Sequence, residues 1–423
     1  MVLPFIHTAD IHVGAFPHSV LKRICVDALK RIAEIALTEN VKMLVIAGDL
    51  FESSRPGYEL TVETVRILKE LRSNGVEVIV TPGSHDVTHR GYGTLTLLNE
   101  VGLVIIPPFE EKELTLTLKP VEVNGIRFYG LPGFKGGKEL DYLEKGRVVF
   151  RDFKENEENV LIAHTSLDIQ GYSLSDISKK YVAIKLSKDA YNMLLNFKYV
   201  ALGHIHFPVP VENEFQATLA YPGAPVGRDA NDIIETFKLR RSFKSDRRIL
   251  MVDLSYNPPR VKAVLDDFGL SVDTLVIDNA STAVKDALSK LKDMHGKYKC
   301  LIVYTGRIDF DQYERVRRHL SELAKRYNAW IHVVHSTIEE EDTISLLEGF
   351  KVDLSNIEAL EREAVKNIVK KLGLRVDEGR LLDLINVLGR EYPEEVRKSE
   401  FDEEVVEEAM KILSEILFKG GLK

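Results

Sequence analysis

The sequence has two cysteines and no long apolar run. Cys25 and Cys300 stand far apart among the 423 residues and cannot form the disulfide framework of a small secreted protein. The N-terminus (M-V-L-P-F-I-H) has no basic segment, and no apolar run approaches the ~18 residues of a membrane helix. These absences predict a cytoplasmic protein without a signal peptide or a membrane span.

The chain also has no excess of positive charge. A net charge of −8 argues against a surface coated in phosphate-binding groups, although it leaves room for a local basic track. Glutamine is nearly absent while Glu, Lys and Arg are plentiful, a composition found in heat-adapted proteins. The hydrophobic content of 44% and charged content of 29% are those of a globular chain.

The chain length predicts two or three domains. Residues 1–257 alternate strands and helices at a spacing that predicts parallel crossovers, with short β runs over residues 101–150 that suggest antiparallel strands in a second layer. Asn257-Pro258-Pro259 is a linker signal, after which residues 258–345 predict a small α/β domain. Residues 346–423 predict a helical tail rich in Glu and Lys.

Five polar segments each follow a predicted strand. In chain order they are Asp10-x-His12, Gly48-Asp49, Gly83-Ser84-His85-Asp86, His164, and Gly203-His204-x-His206. Strands of one sheet deliver their carboxyl ends to one edge, so these segments are expected to meet. Carboxylates and imidazoles without a thiolate suit manganese, iron or zinc. The number of ligands suits two ions that share one carboxylate, which we assign to Asp49.

Each segment alone has a simpler interpretation. A single D-x-H is usually a turn or a cap, and Gly48-Asp49 could be a helix N-cap. His204 and His206 form a stronger signal, because alternate residues of an extended segment face the same way. All five segments in this order, each after a strand, predict one shared metal site.

This order of motifs resembles the calcineurin-like metallophosphoesterase superfamily. Within it, Ile46–Pro56, Gly83–Gly91 and Tyr199–His206 resemble the SbcD/Mre-eleven nucleases of double-strand-break repair, in their archaeal form. The resemblance covers roughly residues 1–230. It implies a two-layered β-sandwich core flanked by helices, a small α/β cap domain and a helical C-terminal tail.

The resemblance also implies a role for each motif residue. Two divalent cations, most commonly Mn²⁺ in the family, would be held at two sites that share Asp49. The first site would use Asp10, His12, Asp49 and His206, and the second Asp49, Ser84, His164 and His204. His85 would serve as the acid that stabilises the leaving oxygen, and Asp86 would set its tautomer.

Ser84 departs from the family pattern, which usually has Asn at this position. A serine hydroxyl is shorter and a weaker ligand than an amide oxygen. We therefore expect the second cation to bind less tightly or through a water molecule. The alternative is that Ser84 only ends the strand and leaves metal binding unchanged.

Candidate DNA contacts fall in two places. Arg55, His89 and Arg90 lie beside motif loops, and the run Lys238–Arg248, which includes Lys238, Arg240 and Arg241, is the densest basic stretch of an acidic chain. The run could instead form a solvated hairpin. The family resemblance implies DNA ends and single strands as substrates, a homodimer, and a nucleoid-associated location.

The tail carries apolar stripes that so short a segment cannot cover by itself. By resemblance, it would grip the coiled-coil root of an ATPase of the SbcC/Rad-fifty type, helix against helix. The candidate contacts are Leu381, Leu384, Ile385, Leu388, Ile412 and Ile416. The alternative is a small bundle folded back on its own cap domain.

The predicted function is that of a manganese-dependent DNA endo- and exonuclease that works with an ATPase on broken ends. One rival is a small-molecule phosphodiesterase or phosphatase on the same core, which would have no need of a cap and a tail. A second rival is a DNA-end scaffold whose catalysis is weakened by Ser84.

Overall fold

A computed structural model gives the architecture of the chain. It describes residues 3–17, 19–87, 93–155, 157–169, 172, 185–305 and 308–335, together with scattered helical residues between 379 and 412. Residues 1–337 form one compact unit and residues 338–423 another.

Two sheets make up the core of the first unit. The six-stranded sheet has the spatial order β11 (Glu214–Gln216), β14 (Arg260–Leu265), β13 (Arg248–Asp253), β1 (Phe5–Thr8), β2 (Met43–Ala47) and β3 (Glu77–Thr81). The five-stranded sheet has the order β12 (Leu219–Ala220), β10 (Tyr199–Gly203), β9 (Asn159–His164), β7 (Ile126–Leu131) and β6 (Val121–Val123). A smaller sheet joins β4 (Phe109–Lys112), β5 (Thr115–Leu118) and β8 (Val148–Phe150).

The first half of the core follows the predicted strand–helix alternation. Strands β1, β2 and β3 are parallel, and the chain passes between them through α1 (Ile24–Thr38) and α2 (Tyr58–Ser73). The expectation of antiparallel strands over residues 101–150 holds for the hairpins β4–β5 and β6–β7. It is wrong for two other pairs, since β7 pairs in parallel with β9 and β5 pairs in parallel with β8. In each pair the second strand lies further along the chain, beyond the hairpin.

The two larger sheets pack face to face. Their inner faces share one buried apolar cluster, to which Phe5 and Val45 contribute from one sheet and Phe128 and Ile162 from the other. The outer faces are covered by helices, as the apolar spacing of α1 predicted. The covering helices include α1, α2 and α3 (Thr94–Glu100) on the first sheet and α4 (Lys138–Glu144) and α5 (Lys188–Leu195) on the second. The predicted two-layered sandwich flanked by helices is confirmed.

The expected α/β cap follows β14. Its parallel strands β15 (Leu270–Val276), β16 (Tyr298–Tyr304) and β17 (Ala329–Val334) alternate with α7 (Ala283–Asp293) and α8 (Phe310–Tyr327). Asp27 of α1 accepts hydrogen bonds from Lys297 and Tyr298, which join the cap to the sandwich. The domain boundaries at residues 257 and 345 stay predictions.

The described residues of the tail are helical and pack on each other. Val387 and Ile412 are buried, and Leu384, Val405 and Ala409 lie against them. Leu381, Ile385, Leu388 and Ile416 lie outside the described residues. Within the part of the chain that the structure describes, no helix combines the length and apolar character needed to cross a bilayer.

Candidate metal centre

The five polar segments meet at the carboxyl ends of the parallel strands. Asp10, Asp49 and Ser84 follow β1, β2 and β3, while His164 ends β9 directly beside Gly203 at the end of β10. One sheet therefore supplies Asp10, His12 and Asp49, and the facing sheet supplies His164, His204 and His206. The segments meet as expected, but they come from two facing sheets and not from the edge of a single sheet.

The first group of possible ligands contains Asp10, His12 and His206, all buried. The Nε2 atoms of His12 and His206 lie 3.1 Å apart, and Asp10 Oδ1 lies 3.8 Å from His206 Nε2. The Asp10 carboxylate also accepts a hydrogen bond from the backbone N–H of His204, at 3.0 Å. This bond fixes the carboxylate against the loop that carries both histidines.

The second group contains Asp10, Asp49 and His164, again buried. Asp49 Oδ2 lies 3.2 Å from His164 Nε2 and 3.8 Å from His12 Nε2. His204 Nδ1 lies 3.2 Å from the same nitrogen of His164. Asp49 thus presents one oxygen between imidazoles of both groups, which is the position required of a shared ligand.

The orientation of the imidazoles fits a cation. Each Nδ1 atom of the first pair faces a carboxylate, since Glu52 Oε2 lies 2.9 Å from His12 and Asp232 Oδ2 lies 2.8 Å from His206. A carboxylate at this distance favours the ring proton on Nδ1, so each Nε2 presents a lone pair. Two lone pairs 3.1 Å apart repel unless a positive charge lies between them. The donor set, oxygen and nitrogen without sulfur, suits a divalent transition metal.

The buried groups of the centre shift the pKa values of their neighbours. Burial would raise the pKa of Asp49, but His164 outweighs it and holds the pKa of this carboxyl well below its usual range. Burial raises the pKa of Asp10. Burial opposes protonation of His164 as well, yet Asp49 raises the pKa of this imidazole to about 10. Without a bound cation, a proton on His164 balances the buried carboxylate.

Much of the centre is built on strained backbone. Asp10, His12, Asp49 and His204 have φ angles of 54°, 50°, 48° and 90°. Residues with side chains rarely adopt this left-handed region, at a cost of about 1–3 kcal/mol each. Such strain persists only where the surrounding structure fixes it, and it concentrates at functional sites.

Two glycines allow the strands to approach closely. Gly48 has a φ of +83°, and a Cβ placed on it would lie 2.1 Å from His164 Nδ1. A Cβ on Gly203 would lie 1.7 Å from the carbonyl oxygen of Ala47. The glycines of the motifs are therefore needed for contact between the sheets.

His85 lies at the edge of the centre. Its backbone N–H donates to Asp49 Oδ1 at 2.8 Å, and its Nδ1 lies 2.9 Å from the carbonyl oxygen of Glu52. Asp86 does not set the tautomer of His85, contrary to the prediction. The loop turns Asp86 away, and its buried carboxylate accepts from the backbone N–H groups of Leu50, Phe51 and Gly83.

Three residues that sequence reasoning missed contact the histidines of the centre. Glu52 lies three residues after Asp49 and contacts His12, and its position beside the motif was the one available signal. Asp232, in the first turn of α6 (Ala230–Ser242), contacts His206. Arg228 Nη1 lies 2.5 Å from His85 Nε2. The last two follow no motif, so the sequence carried no signal for them.

The remaining predicted site residues stay untested in their roles. Ser84 is half-buried in the loop after β3, and Arg55 is exposed. His89 and Arg90 lie outside the described residues. The predicted basic run is the end of α6 and the start of β13, so the alternative of a hairpin is wrong.

The run's basic side chains have different surroundings. Lys238 and Arg241 are exposed, whereas Arg240 bonds to Asp246 at 2.9 Å. Arg247 and Arg248 are buried and bond to backbone carbonyls, so they cannot track phosphates. A continuous basic track along the whole run is therefore excluded.

Comparison with known proteins places the centre in a family. Residues 3–208 match the calcineurin-like phosphoesterase family. The chain is 29% identical over 225 residues to the DNA double-strand break repair protein Mre11 of Methanopyrus kandleri, covering 52% of this chain and 48% of that protein. It is 30% identical over 251 residues to the protein of the same name from Archaeoglobus fulgidus, covering 57% and 52%.

A third relative aligns over most of its length. The Mre11 protein of Saccharolobus solfataricus is 24% identical over 396 residues, covering 90% of this chain and 93% of that protein. The chain spans about half the length of the other two relatives. The predicted resemblance is confirmed: residues 3–208 match the calcineurin-like phosphoesterase family, and the chain is similar to archaeal Mre11 proteins.

Proposed function

We propose that this protein is a manganese-dependent DNA endo- and exonuclease of double-strand-break repair that hydrolyses phosphodiesters at a two-cation centre. The observation that carries the proposal is the position of Asp49, whose Oδ2 lies 3.8 Å from His12 Nε2 of the first ligand group and 3.2 Å from His164 Nε2 of the second. The names of the relatives support DNA as the substrate.

The candidate ligands can be assigned to two cations, as in a two-cation hydrolase. Two divalent cations would stabilise the charge on the attacking and leaving oxygens. Asp10, His12 and His206 would hold one, His164 and His204 the other, and Asp49 both. The carboxylates Glu52 and Asp232 orient two of these imidazoles through Nδ1.

His85 is the candidate proton donor. Its Nδ1–H donates to the carbonyl oxygen of Glu52, so Nε2 is the ring atom left for the leaving oxygen of the substrate. Its backbone N–H is bonded to Asp49, which ties the position of the imidazole to the shared ligand. General acid catalysis by such a group typically contributes about 100- to 10,000-fold in rate.

Cleavage of labelled DNA by the full-length protein tests the proposal. We expect cleavage of single strands and duplex ends that needs Mn²⁺, stops with a chelator and is lost in Asp49→Asn. His85→Gln should lower the rate by about 100- to 10,000-fold while Mn²⁺ still binds. Glu70→Gln serves as the control, because Glu70 is an exposed residue of α2. DNA left intact while a nitrophenyl phosphodiester is hydrolysed would favour the small-molecule rival.

Ser84 supports a second candidate, a DNA-end scaffold with weakened catalysis. A hydroxyl is a poorer ligand than the usual amide, which bears on the second cation alone. The discriminating measurement is the cleavage rate of the wild type at saturating Mn²⁺ against His85→Gln as a blank. Equal rates together with tight DNA binding favour the scaffold.

The partner assignments belong to the same proposal. We infer a cytoplasmic, nucleoid-associated homodimer whose tail binds a coiled-coil ATPase of the SbcC/Rad-fifty type. The described tail residues Leu384 and Ile412 pack within one apolar cluster, which supports a helical binding module. Removal of residues 351–423 should abolish ATPase binding and leave Mn²⁺-dependent cleavage. ATPase binding that survives this removal would favour the bundle folded on its own chain.

A further inference from the structure

A basic side chain reaches the edge of this acidic and imidazole-rich centre. Arg228 lies in the loop between β12 and α6, and its Nη1 is 2.5 Å from His85 Nε2. That nitrogen is the one ring atom of His85 left for a substrate, since Nδ1 faces the Glu52 carbonyl. The guanidinium thus occupies the place where the leaving side of a phosphodiester would sit.

The loop that carries Arg228 is anchored to the centre. The backbone N–H of Arg228 donates to Asp232 Oδ2 at 2.8 Å, and the same oxygen faces His206 Nδ1 at 2.8 Å. Asp232 is fully buried, and its backbone carbonyl also accepts from the buried Arg247. The backbone of Arg228 is therefore fixed relative to His206, a candidate metal ligand.

The head of the side chain remains accessible. The side chain of Arg228 is 35% exposed, and its ion pair with Asp229 spans 4.0 Å, which makes it weak. The nearby carboxylate of Glu52 already contacts His12. A guanidinium can exchange an imidazole nitrogen for phosphate oxygens, which are charged and match its planar set of donors in pairs.

We propose that Arg228 is a substrate-binding residue that engages the non-bridging oxygens of the scissile phosphodiester on its leaving side. In the absence of substrate the guanidinium rests on His85 Nε2. The arriving phosphate draws it away, and this exchange frees His85 Nε2 to take up a proton from solvent and donate it to the leaving oxygen. The inference rests on the proposed phosphodiesterase function and adds to it a residue that selects anionic diesters.

Three variants of the full-length protein test this role. Arg228→Ala removes the cation, Arg228→Lys keeps the charge without the planar donors, and Arg151→Ala is a matched control because Arg151 is exposed outside the centre. The steady-state measurements are kcat and KM on a single-stranded oligonucleotide and on bis(4-nitrophenyl) phosphate with Mn²⁺. Two further measurements are Mn²⁺ binding by calorimetry and the salt dependence of oligonucleotide binding in a chelator.

We expect Arg228→Ala to lower kcat/KM by about 10- to 100-fold on both substrates, the loss of a charged hydrogen bond. Arg228→Lys should recover part of that loss, and Arg151→Ala should equal the wild type. Mn²⁺ affinity should stay within about twofold in all variants. The slope of log binding constant against log salt should become shallower by about 1 in Arg228→Ala.

Two results overturn the inference. One is a kcat/KM and a salt slope of Arg228→Ala that equal those of Arg151→Ala. The other is a parallel loss of Mn²⁺ affinity and activity, since that would make Arg228 a support of the fold. If the wild type cleaves neither substrate, the proposed function fails, and the salt slope in the chelator still decides whether Arg228 binds phosphate.

Discussion

Removal of the Glu52 carboxylate tests whether the centre depends on groups behind the ligands themselves. Glu52 Oε2 lies 2.9 Å from Nδ1 of His12, a ring with no solvent exposure. Glu52→Ala would leave a buried N–H facing no acceptor, free to move its proton to Nε2. The lone pair that should bind the cation would then be lost.

The expected magnitude follows from the cost of that orphaned group. A buried donor without its partner costs about 1–3 kcal/mol, and loss of a carboxylate behind a metal-binding histidine typically lowers metal affinity about 10- to 100-fold. Glu52→Gln retains an oxygen that can accept from Nδ1 while it removes the charge. We therefore expect a smaller loss in Glu52→Gln than in Glu52→Ala.

Calorimetric titration of the full-length protein with Mn²⁺ measures both affinity and stoichiometry. The matched control is Glu70→Ala, which removes one exposed carboxylate from α2. The weakening should fall on one site and leave the other unchanged, because Glu52 contacts His12 of the first group only. Wild-type affinity at both sites in Glu52→Ala would refute the assignment, and equal losses in Ala and Gln would show that charge alone acts.

Three further predictions concern single residues. Ser84→Asn should tighten the weaker Mn²⁺ site by about tenfold, or ~1.4 kcal/mol, in the same titration, and unchanged affinity would contradict it. Gly203→Ala should lower the free energy of unfolding by at least about 1–3 kcal/mol, seen as a lower urea midpoint, because its Cβ would strike Ala47. Burial lowers the pKa of His7 to about 3 in the folded protein. As the pH falls below 6.5 this imidazole takes up a proton in the unfolded chain but stays neutral in the folded protein, so the free energy of unfolding decreases. His7→Asn should reduce the stability lost between pH 7 and pH 5 by about 2 kcal/mol in urea melts, and identical losses would contradict the assignment.

The sequence was most informative where local pattern and chemistry coincide. Each ligand segment follows an apolar run, and parallel strands of one sheet deliver their ends to one edge, so the meeting of Asp10 and Asp49 could be predicted. The position of His164 on the facing sheet could not be predicted from that rule, which concerns a single sheet. The pairing of β7 with β9 could not, because it joins strands separated along the chain. Short apolar runs separated by Gly and Asn do not show whether the strands pair in parallel or antiparallel.

The directions in which side chains point were the feature that the sequence predicted least well. Asp86 follows His85 in sequence, and adjacency suggested a contact between them. The backbone turn instead places Asp86 among three N–H groups of neighbouring loops. Arg247 and Arg248 looked like surface cations, because the carbonyls that bury them come from residues 23 to 41 positions away in sequence.

The positions of the ligands tie the chemistry of the centre to the stability of the sandwich. Asp10, His12 and Asp49 come from one sheet and His164, His204 and His206 from the other, so separation of the sheets would disperse both sites. Strained φ angles at Asp10, His12, Asp49 and His204 oppose this arrangement, while packing of the inner faces holds it. A cation that binds the folded centre but not the unfolded chain must therefore increase the stability of the sandwich.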